Sequence, residues 1–174
     1  MNIRIETERL ILRPIQQSDD KDFFELDSNP KVHRFLGNNP VKSIQESQKQ
    51  IANVLQQYED FGLGRLVVIS KSTNEFIGWS GLKFERQVRK EFDYYDLGYR
   101  LKEQFWGKGY ATEAATASLN FGFNKLKLKE INACAETGHT VSNHILKKIG
   151  MVLDGTFTFE GSLINWYWAK NKNQ

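Results

Sequence analysis

The chain has 174 residues, 40% of them apolar and 13% aromatic, which is enough to build a sizeable core and fits one domain spanning residues 1–174. Its net charge of +3, with both signs interspersed, suits a small anionic ligand and excludes the strongly basic face of a nucleic-acid binder. One cysteine excludes an internal disulfide, and three scattered histidines give no metal-ligand spacing.

The first strand is expected over residues 3–14, where Leu10 and Leu12 alternate with Arg9, Ile11 and Arg13. Ser18, Asp19 and Asp20 supply an N-cap and acidic first turn for a helix reaching Leu26. Asn29-Pro30 breaks it, and a short helix through Val32 and Phe35 ends at Gly37. Ser43 opens a longer helix with Ile44, Ser47, Ile51, Val54, Leu55 and Tyr58 at helical spacing. Residues 65–70 and 75–79 flank Ser72-Thr73-Asn74 and read as a hairpin, and residues 94–101 pair next. A helix from Gly107 to about Lys125 carries Ala111, Ala114, Ala115, Ser118 and Gly122 on one face, small enough to lie close to a sheet. Residues 129–136 form a strand in which Cys134 is a small buried filler. Val141, Ile145 and Ile149 mark a last helix stopped by Gly150. Residues 152–159 and 162–169 close the chain as a hairpin around Glu160-Gly161, and residues 170–174 read as a solvated tail.

This order gives a mixed α/β plan. No run approaches the roughly 20 apolar residues of a membrane helix. Residues 1–6 lack the apolar core of a signal peptide. With the lone cysteine, these features point to a cytoplasmic protein without a membrane or nucleic-acid partner.

The strand at 94–101 runs into Gln104-Phe105-Trp106-Gly107-Lys108-Gly109-Tyr110-Ala111-Thr112-Glu113-Ala114, a tight glycine turn at a helix start. Exposed backbone N–H groups and the positive helix end attract an anion there, and a phosphate is the expected guest. A Walker A loop is excluded because position 102 is Lys102 and Lys108 is followed by Gly109. A dinucleotide fingerprint is excluded because Thr112 stands where its third glycine belongs. The remaining pattern, Gln104-x-x-Gly107-x-Gly109, resembles the pyrophosphate-binding motif of the Gcn5-related N-acetyltransferases (GNAT).

Other stretches resemble the same family, in the order of its ribosomal-protein-acetylating (RimJ/RimL-type) subgroup. These are Thr7-Glu8-Arg9-Leu10-Ile11-Leu12-Arg13-Pro14, Phe76-Ile77-Gly78-Trp79-Ser80-Gly81-Leu82, Leu97-Gly98-Tyr99-Arg100-Leu101, and Ser142 through Lys148-Ile149-Gly150-Met151. The resemblance implies the GNAT acyl-CoA N-acyltransferase fold. That fold is a mostly antiparallel sheet flanked by helices, with splayed fourth and fifth strands, here residues 94–101 and 129–136. It also implies acetyl-CoA as cosubstrate and direct transfer to a primary amine; apart from the resemblance, no metal is expected, and the protein is expected to be a monomer or homodimer. The subgroup points to a protein N-terminal α-amine. A small amine such as a polyamine, antibiotic or amino acid is the alternative acceptor, and a CoA-binding sensor without catalysis is the alternative class.

The resemblance assigns roles by position. Gly107 and Gly109 let the backbone approach the pyrophosphate, with N–H groups from Lys108, Tyr110, Ala111 and Thr112. Gln104 bonds phosphate or pantetheine. Tyr99, Arg100 and Leu101 hold pantetheine through their backbone and polarise the thioester carbonyl. Ser142 protonates the leaving thiolate. Where the family has Asn to hold pantetheine, this chain has His139, with Asn143 nearby as a partial substitute. A general base is sought among Glu160, ranked first, Asp96, Glu91 and Glu136. Trp79, Tyr95, Trp166 and Trp168 are candidates to line the acceptor pocket.

Overall fold

The computed structural model describes residues 3–171. It has eight strands: β1 (Ile5–Glu6), β2 (Leu10–Pro14), β3 (Arg65–Ser70), β4 (Phe76–Glu85), β5 (Tyr94–Leu101), β6 (Glu130–Glu136), β7 (Val152–Phe159) and β8 (Ser162–Lys170). The helices are α1 (Asp20–Asp27), α2 (Pro30–His33), α3 (Ile44–Phe61), α4 (Tyr110–Asn124) and α5 (Thr140–Lys148). All the strands form one sheet in the order β1-β2-β3-β4-β5-β6-β8-β7. Every neighbouring pair is antiparallel except β5–β6, which is parallel and matched only at Asp96↔Asn132. Beyond that rung, towards Leu101 and Glu136, no further pair joins the two strands. This is the mixed, splayed sheet the sequence led us to expect.

Alternation sorts the side chains into two layers. Leu82, Leu97, Ala115, Leu119, Ile131, Ala133, Leu146 and Tyr167 pack together under α4 and α5. Ile15, Phe23, Leu26, Val32, Ile51 and Val67 pack under α1, α2 and α3 on the opposite face. The small residues of α4 act as expected. Ala114, Ala115, Ser118 and Gly122 are buried, and a Cβ on Gly122 would come within 2.6 Å of Leu82 and Ile131 methyls. The helix therefore lies close on the sheet, and its N-terminus stands at the open end of β5.

Four expectations need correction. The opening strand is two strands, because Thr7 N–H bonds Leu10 O and turns the chain between them. The first helix starts at Asp20 after a 3-10 turn over Gln17–Asp19, because the Asp19 carboxylate takes the Gln16 N–H (2.7 Å) and the Arg13 guanidinium (2.7 and 2.9 Å). Val141 is 66% exposed, while Ile145 and Leu146 carry the buried face of α5. The tail stays in the fold through Asn171, which is buried and donates to Phe123 O (3.1 Å) and Leu128 O (3.2 Å). Residues 172–174 of that expected tail lie outside the described residues.

Candidate active site

The glycine turn sits where β5 ends. Lys102 closes β5 onto β4 through its N–H to Ile77 O (2.9 Å), and a 3-10 turn over Glu103–Phe105 leads to the loop. Gly107 and Gly109 have φ of 73° and 81°, left-handed values that cost an L-residue energy but not glycine. Gly109 is the N-cap of α4 and has no side chain to satisfy the first-turn N–H groups. Gln104, Gly107, Lys108 and Gly109 are exposed, and Tyr110, Ala111 and Thr112 are half-buried. The helix start is therefore open to an anion.

One residue outside the motif braces this turn. Arg9 donates to Lys108 O (3.0 Å), pairs with Glu113 (2.7 Å) and lies 4.5 Å from the centre of the Tyr110 ring. In the sequence Arg9 stands out only as a residue of the first strand. Its partner is a hundred residues away, so no local pattern exposes the link.

On the α4–α5 face, the Tyr99 hydroxyl lies 2.9 Å from Ser142 Oγ and donates to Ser142 O (3.2 Å). Burial pushes the Tyr99 phenol up to about 12, so it keeps its proton at neutral pH. The family resemblance assigns Tyr99 a role through its backbone alone, and this side-chain contact comes in addition.

His139 is the N-cap of α5, where Nδ1 accepts the Ser142 N–H at 3.0 Å. Its ring meets Phe35 edge-on at 4.3 Å. Burial lowers its pKa, keeping the imidazole neutral and Nδ1 free to accept. Asn143 is saturated. Its amide donates to Glu136 O and His139 O (both 2.8 Å), and its oxygen accepts from Asn165 (2.6 Å) and Tyr167 (2.7 Å). The idea that Asn143 substitutes for a cofactor-binding amide is corrected here, because protein groups already fill all its hydrogen bonds.

The opposite face carries a second polar group. Asp27 of α1 is buried, accepts from Arg100 at 2.6 Å, and lies 3.7 Å from the buried His33 Nε2 of α2. Burial and the Arg100 charge lower the His33 pKa, although Asp27 pulls the other way. Trp79 lies beneath the Arg100 and Arg65 guanidiniums, each 5.2 Å from a ring centre. A cleft of about 500 Å³ opens nearby, lined by Glu25, Leu26, Asn29, Val32, Lys102, Glu103 and Gln104.

The carboxylates expected as bases lie apart. Glu160 is exposed at the β7–β8 turn, with φ of 48°. Asp96 is paired with Arg65. Glu91 is exposed beside Arg89 at 3.2 Å. Glu136 ends β6 at the edge of the opening, half-buried, and accepts from Ser162 at 3.1 Å. Among the aromatic candidates, Tyr95 packs against Phe84 in the α4–α5 layer, away from Trp79. Burial pushes the Cys134 thiol up to about 12, which favours the protonated form expected of a packing residue. Among the described residues there is no cluster of metal-ligating side chains, and no helix is long and apolar enough to cross a membrane.

Comparison with known proteins gives this geometry its family. The model of the acetyltransferase (GNAT) domain matches residues 9–152. The uncharacterized N-acetyltransferase YoaA of Bacillus subtilis is 30% identical over 151 residues, covering 87% of this chain and 84% of its own. Spermidine N(1)-acetyltransferase of Escherichia coli is 24% identical, covering 86% and 76%. RimL, a ribosomal α-N-protein acetyltransferase solved in complex with coenzyme A, superposes with a TM-score of 0.82 at 17% identity, covering 99% of this chain and 100% of that one. The chain belongs to the GNAT family and is an N-acetyltransferase.

Proposed function

We propose that this enzyme binds acetyl-CoA with its pyrophosphate on the Gly107–Thr112 turn and its thioester in the opening between β5 and β6, and transfers the acetyl group directly to a primary amine. The observation that carries this reading is the end of pairing between β5 and β6 after Asp96↔Asn132, directly ahead of the exposed N-terminus of α4. In it, Gln104 meets phosphate or pantetheine, and the backbone of Tyr99, Arg100 and Leu101 pairs with the pantetheine arm. One of their N–H groups polarises the thioester carbonyl, an interaction that is typically worth a few kcal/mol.

Glu136 takes a proton from the acceptor ammonium, directly or through water, because it stands at the mouth of the opening while Glu160 lies out on a turn. The free amine attacks the carbonyl carbon, the C–N bond forms and the C–S bond breaks. Ser142 Oγ gives its proton to the departing thiolate and recovers one from the Tyr99 hydroxyl. The surplus proton on the new amide nitrogen passes through solvent to restore the Tyr99 hydroxyl, and Glu136 releases the proton it took, leaving amide, CoA thiol and the enzyme as it began. His139 shapes this end of α5 as a cap rather than as a pantetheine ligand.

The acceptor we favour is a protein N-terminal α-amine, in line with the sequence motifs of the RimJ/RimL-type subgroup and the fold of RimL. A small polyamine is the second reading, favoured by the match to a spermidine acetyltransferase. We take residues 1–174 as one catalytic domain, working in the cytoplasm as a monomer or homodimer. The test is calorimetric titration of acetyl-CoA, followed by thiol release against N-terminal peptides and small amines. Binding with turnover identifies the acceptor type. Binding without turnover on any amine favours the sensor reading, and no binding removes the site at 104–112.

A further inference from the structure

Arg89 lies in the segment between β4 and β5, and its guanidinium carbon is 4.9 Å from the ring centre of Phe92, 4.8 Å from Phe157 and 5.0 Å from Trp166. Three rings from separate parts of the chain, the connecting segment, β7 and β8, thus surround one cation. The rings also brace one another. Trp166 meets Phe92 at 5.7 Å, Phe157 at 6.0 Å and Tyr94 at 4.7 Å. Glu91 stands at the rim, 3.2 Å from Arg89 Nε.

This is the architecture of a receptor for an organic cation: several electron-rich ring faces and one carboxylate. Trp166 is buried at the base, Phe92 is 45% exposed at the rim, and the Arg89 side chain is 22% exposed. A single side chain, Arg89, fills the cage, and two of the three walls, Phe157 and Trp166, belong to strands rather than to its segment. Trp166, at the base of the cage, lies near the opening between β5 and β6. Trp166 is opposite Cys134, two residues beyond the Asn132 rung, where β5 and β6 are no longer paired. That is one or two strand spacings, roughly 5–10 Å, from the opening.

We infer that the Phe92–Phe157–Trp166 cage is a subsite for a second positive charge on the amine acceptor, with Arg89 as its resident stand-in. The inference rests on the proposed amine acetylation and narrows its acceptor to one with a cation beyond the nitrogen acetylated. That cation is either the far ammonium of a polyamine or a basic side chain near a peptide N-terminus. The acceptor's cation displaces Arg89 into solvent, so acceptors with a single amine gain nothing from the cage.

The test compares wild type, Arg89→Ala, and Arg89→Ala with Phe157→Leu. Thiol release from acetyl-CoA is measured with butylamine, spermidine, and the peptides Ala-Gly-Gly and Ala-Gly-Lys. Emptying the cage is expected to lower the KM ratio of spermidine to butylamine, or of Ala-Gly-Lys to Ala-Gly-Gly, by roughly five- to tenfold, and Phe157→Leu to reverse the gain. A fall in the first ratio identifies a polyamine, and a fall in the second identifies a peptide. Neither ratio moving overturns the inference. A second readout needs no turnover: tetramethylammonium is titrated while the Trp166 indole N–H signal is followed by NMR, assigned through Trp166→Phe. A saturable shift that is stronger in Arg89→Ala supports the cage as a cation receptor, and its absence overturns the inference. If no amine is acetylated while that shift persists, the amine-transfer reading fails and the acceptor assignment falls with it, leaving a cation receptor alone.

Discussion

Arg9 and Glu113, 104 residues apart, form a two-point clasp. The Arg9 guanidinium reaches one carboxylate oxygen at 2.7 Å, and the Arg9 N–H reaches the other at 2.9 Å. Thr7 adds a third donor at 2.5 Å. Partial burial pushes the Glu113 carboxyl up, but the hydrogen bonds from Thr7 and Arg9 outweigh it and hold the group below its ordinary range. The clasp joins the β1–β2 turn to the first turn of α4, and Arg9 continues to Lys108 O in the glycine turn. Glu113→Gln keeps the shape and removes the charge. We expect acetyl-CoA to bind about three- to tenfold more weakly, equal to about 0.7–1.4 kcal/mol, with kcat little changed. Calorimetric titration checks this, and an unchanged Kd would detach the clasp from cofactor binding.

The two glycines of the turn separate strain from occupancy. Gly107→Ala and Gly109→Ala each force a left-handed L-residue, at about 1–2 kcal/mol of stability in urea unfolding. A Cβ on Gly109 meets the Arg9 guanidinium at 3.4 Å, whereas one on Gly107 has open space within 4 Å. That open space is where we place the pyrophosphate. Gly107→Ala should therefore weaken acetyl-CoA binding more than its stability loss accounts for. Equal binding in both variants would mean that the phosphate lies elsewhere.

Ser142 and Tyr99 are expected to act as a pair. Ser142→Ala should lower kcat about 100-fold, within the usual range for a proton donor, while acetyl-CoA binding is kept. Tyr99→Phe should cost less, and the double variant should cost little more than Ser142→Ala alone. Because the Tyr99 phenol is pushed up to about 12, no basic limb from it should appear in kcat below about pH 10. Additive losses in the double variant would show two independent roles.

His33 and His139 both have lowered pKa values, so the unfolded chain binds more protons than the folded one between the folded values and about 6.5. Stability consequently rises with pH across that window. It falls as the solution is acidified below about pH 6.5 and levels off below the folded values. His139→Asn retains an acceptor for the Ser142 N–H and removes one titration. Its denaturation midpoint should depend less steeply on pH between 6.5 and 5, and a slope identical to wild type would exclude His139 as a contributor.

Arg65 and Asp96 form a close pair inside the sheet, and Arg65 also donates to the Asp96 carbonyl at 2.8 Å. Burial raises the Asp96 pKa, partly offset by Arg65. Arg65→Met leaves a buried carboxylate unpaired and should cost about 3–5 kcal/mol in urea unfolding. Adding Asp96→Leu should recover most of that loss. No recovery would show that the Arg65 contacts to Gly81 and Asp96 carbonyls, rather than the charge pair, carry the stability.

Much of the fold is legible because its signals are local. Ser43 caps α3 as expected, and β3 and β5 run over the anticipated residues because each is a β-rich run between turns. The β1–β2 turn is invisible because Thr7-Glu8-Arg9 contains neither glycine nor proline, and its shape depends on Glu113. The glycine turn is legible because all its parts lie within six residues. The meeting of Asp27, His33 and Arg100 is not, since α1, α2 and β5 come together only in the folded chain. Val141 misled because helical spacing alone does not tell which stripe of α5 is buried.

The single rung between β5 and β6 leaves two interior strand edges with few backbone partners of their own. Open strand edges are where chains stick to one another. In our reading the pantetheine arm is the strand that seals them, and a ligand that binds only the folded state raises its stability in proportion to the logarithm of its concentration. The supply of acetyl-CoA then sets more than the speed of the reaction. It also sets how firmly each molecule stays folded, so the urea midpoint of this enzyme should climb with the concentration of its own substrate.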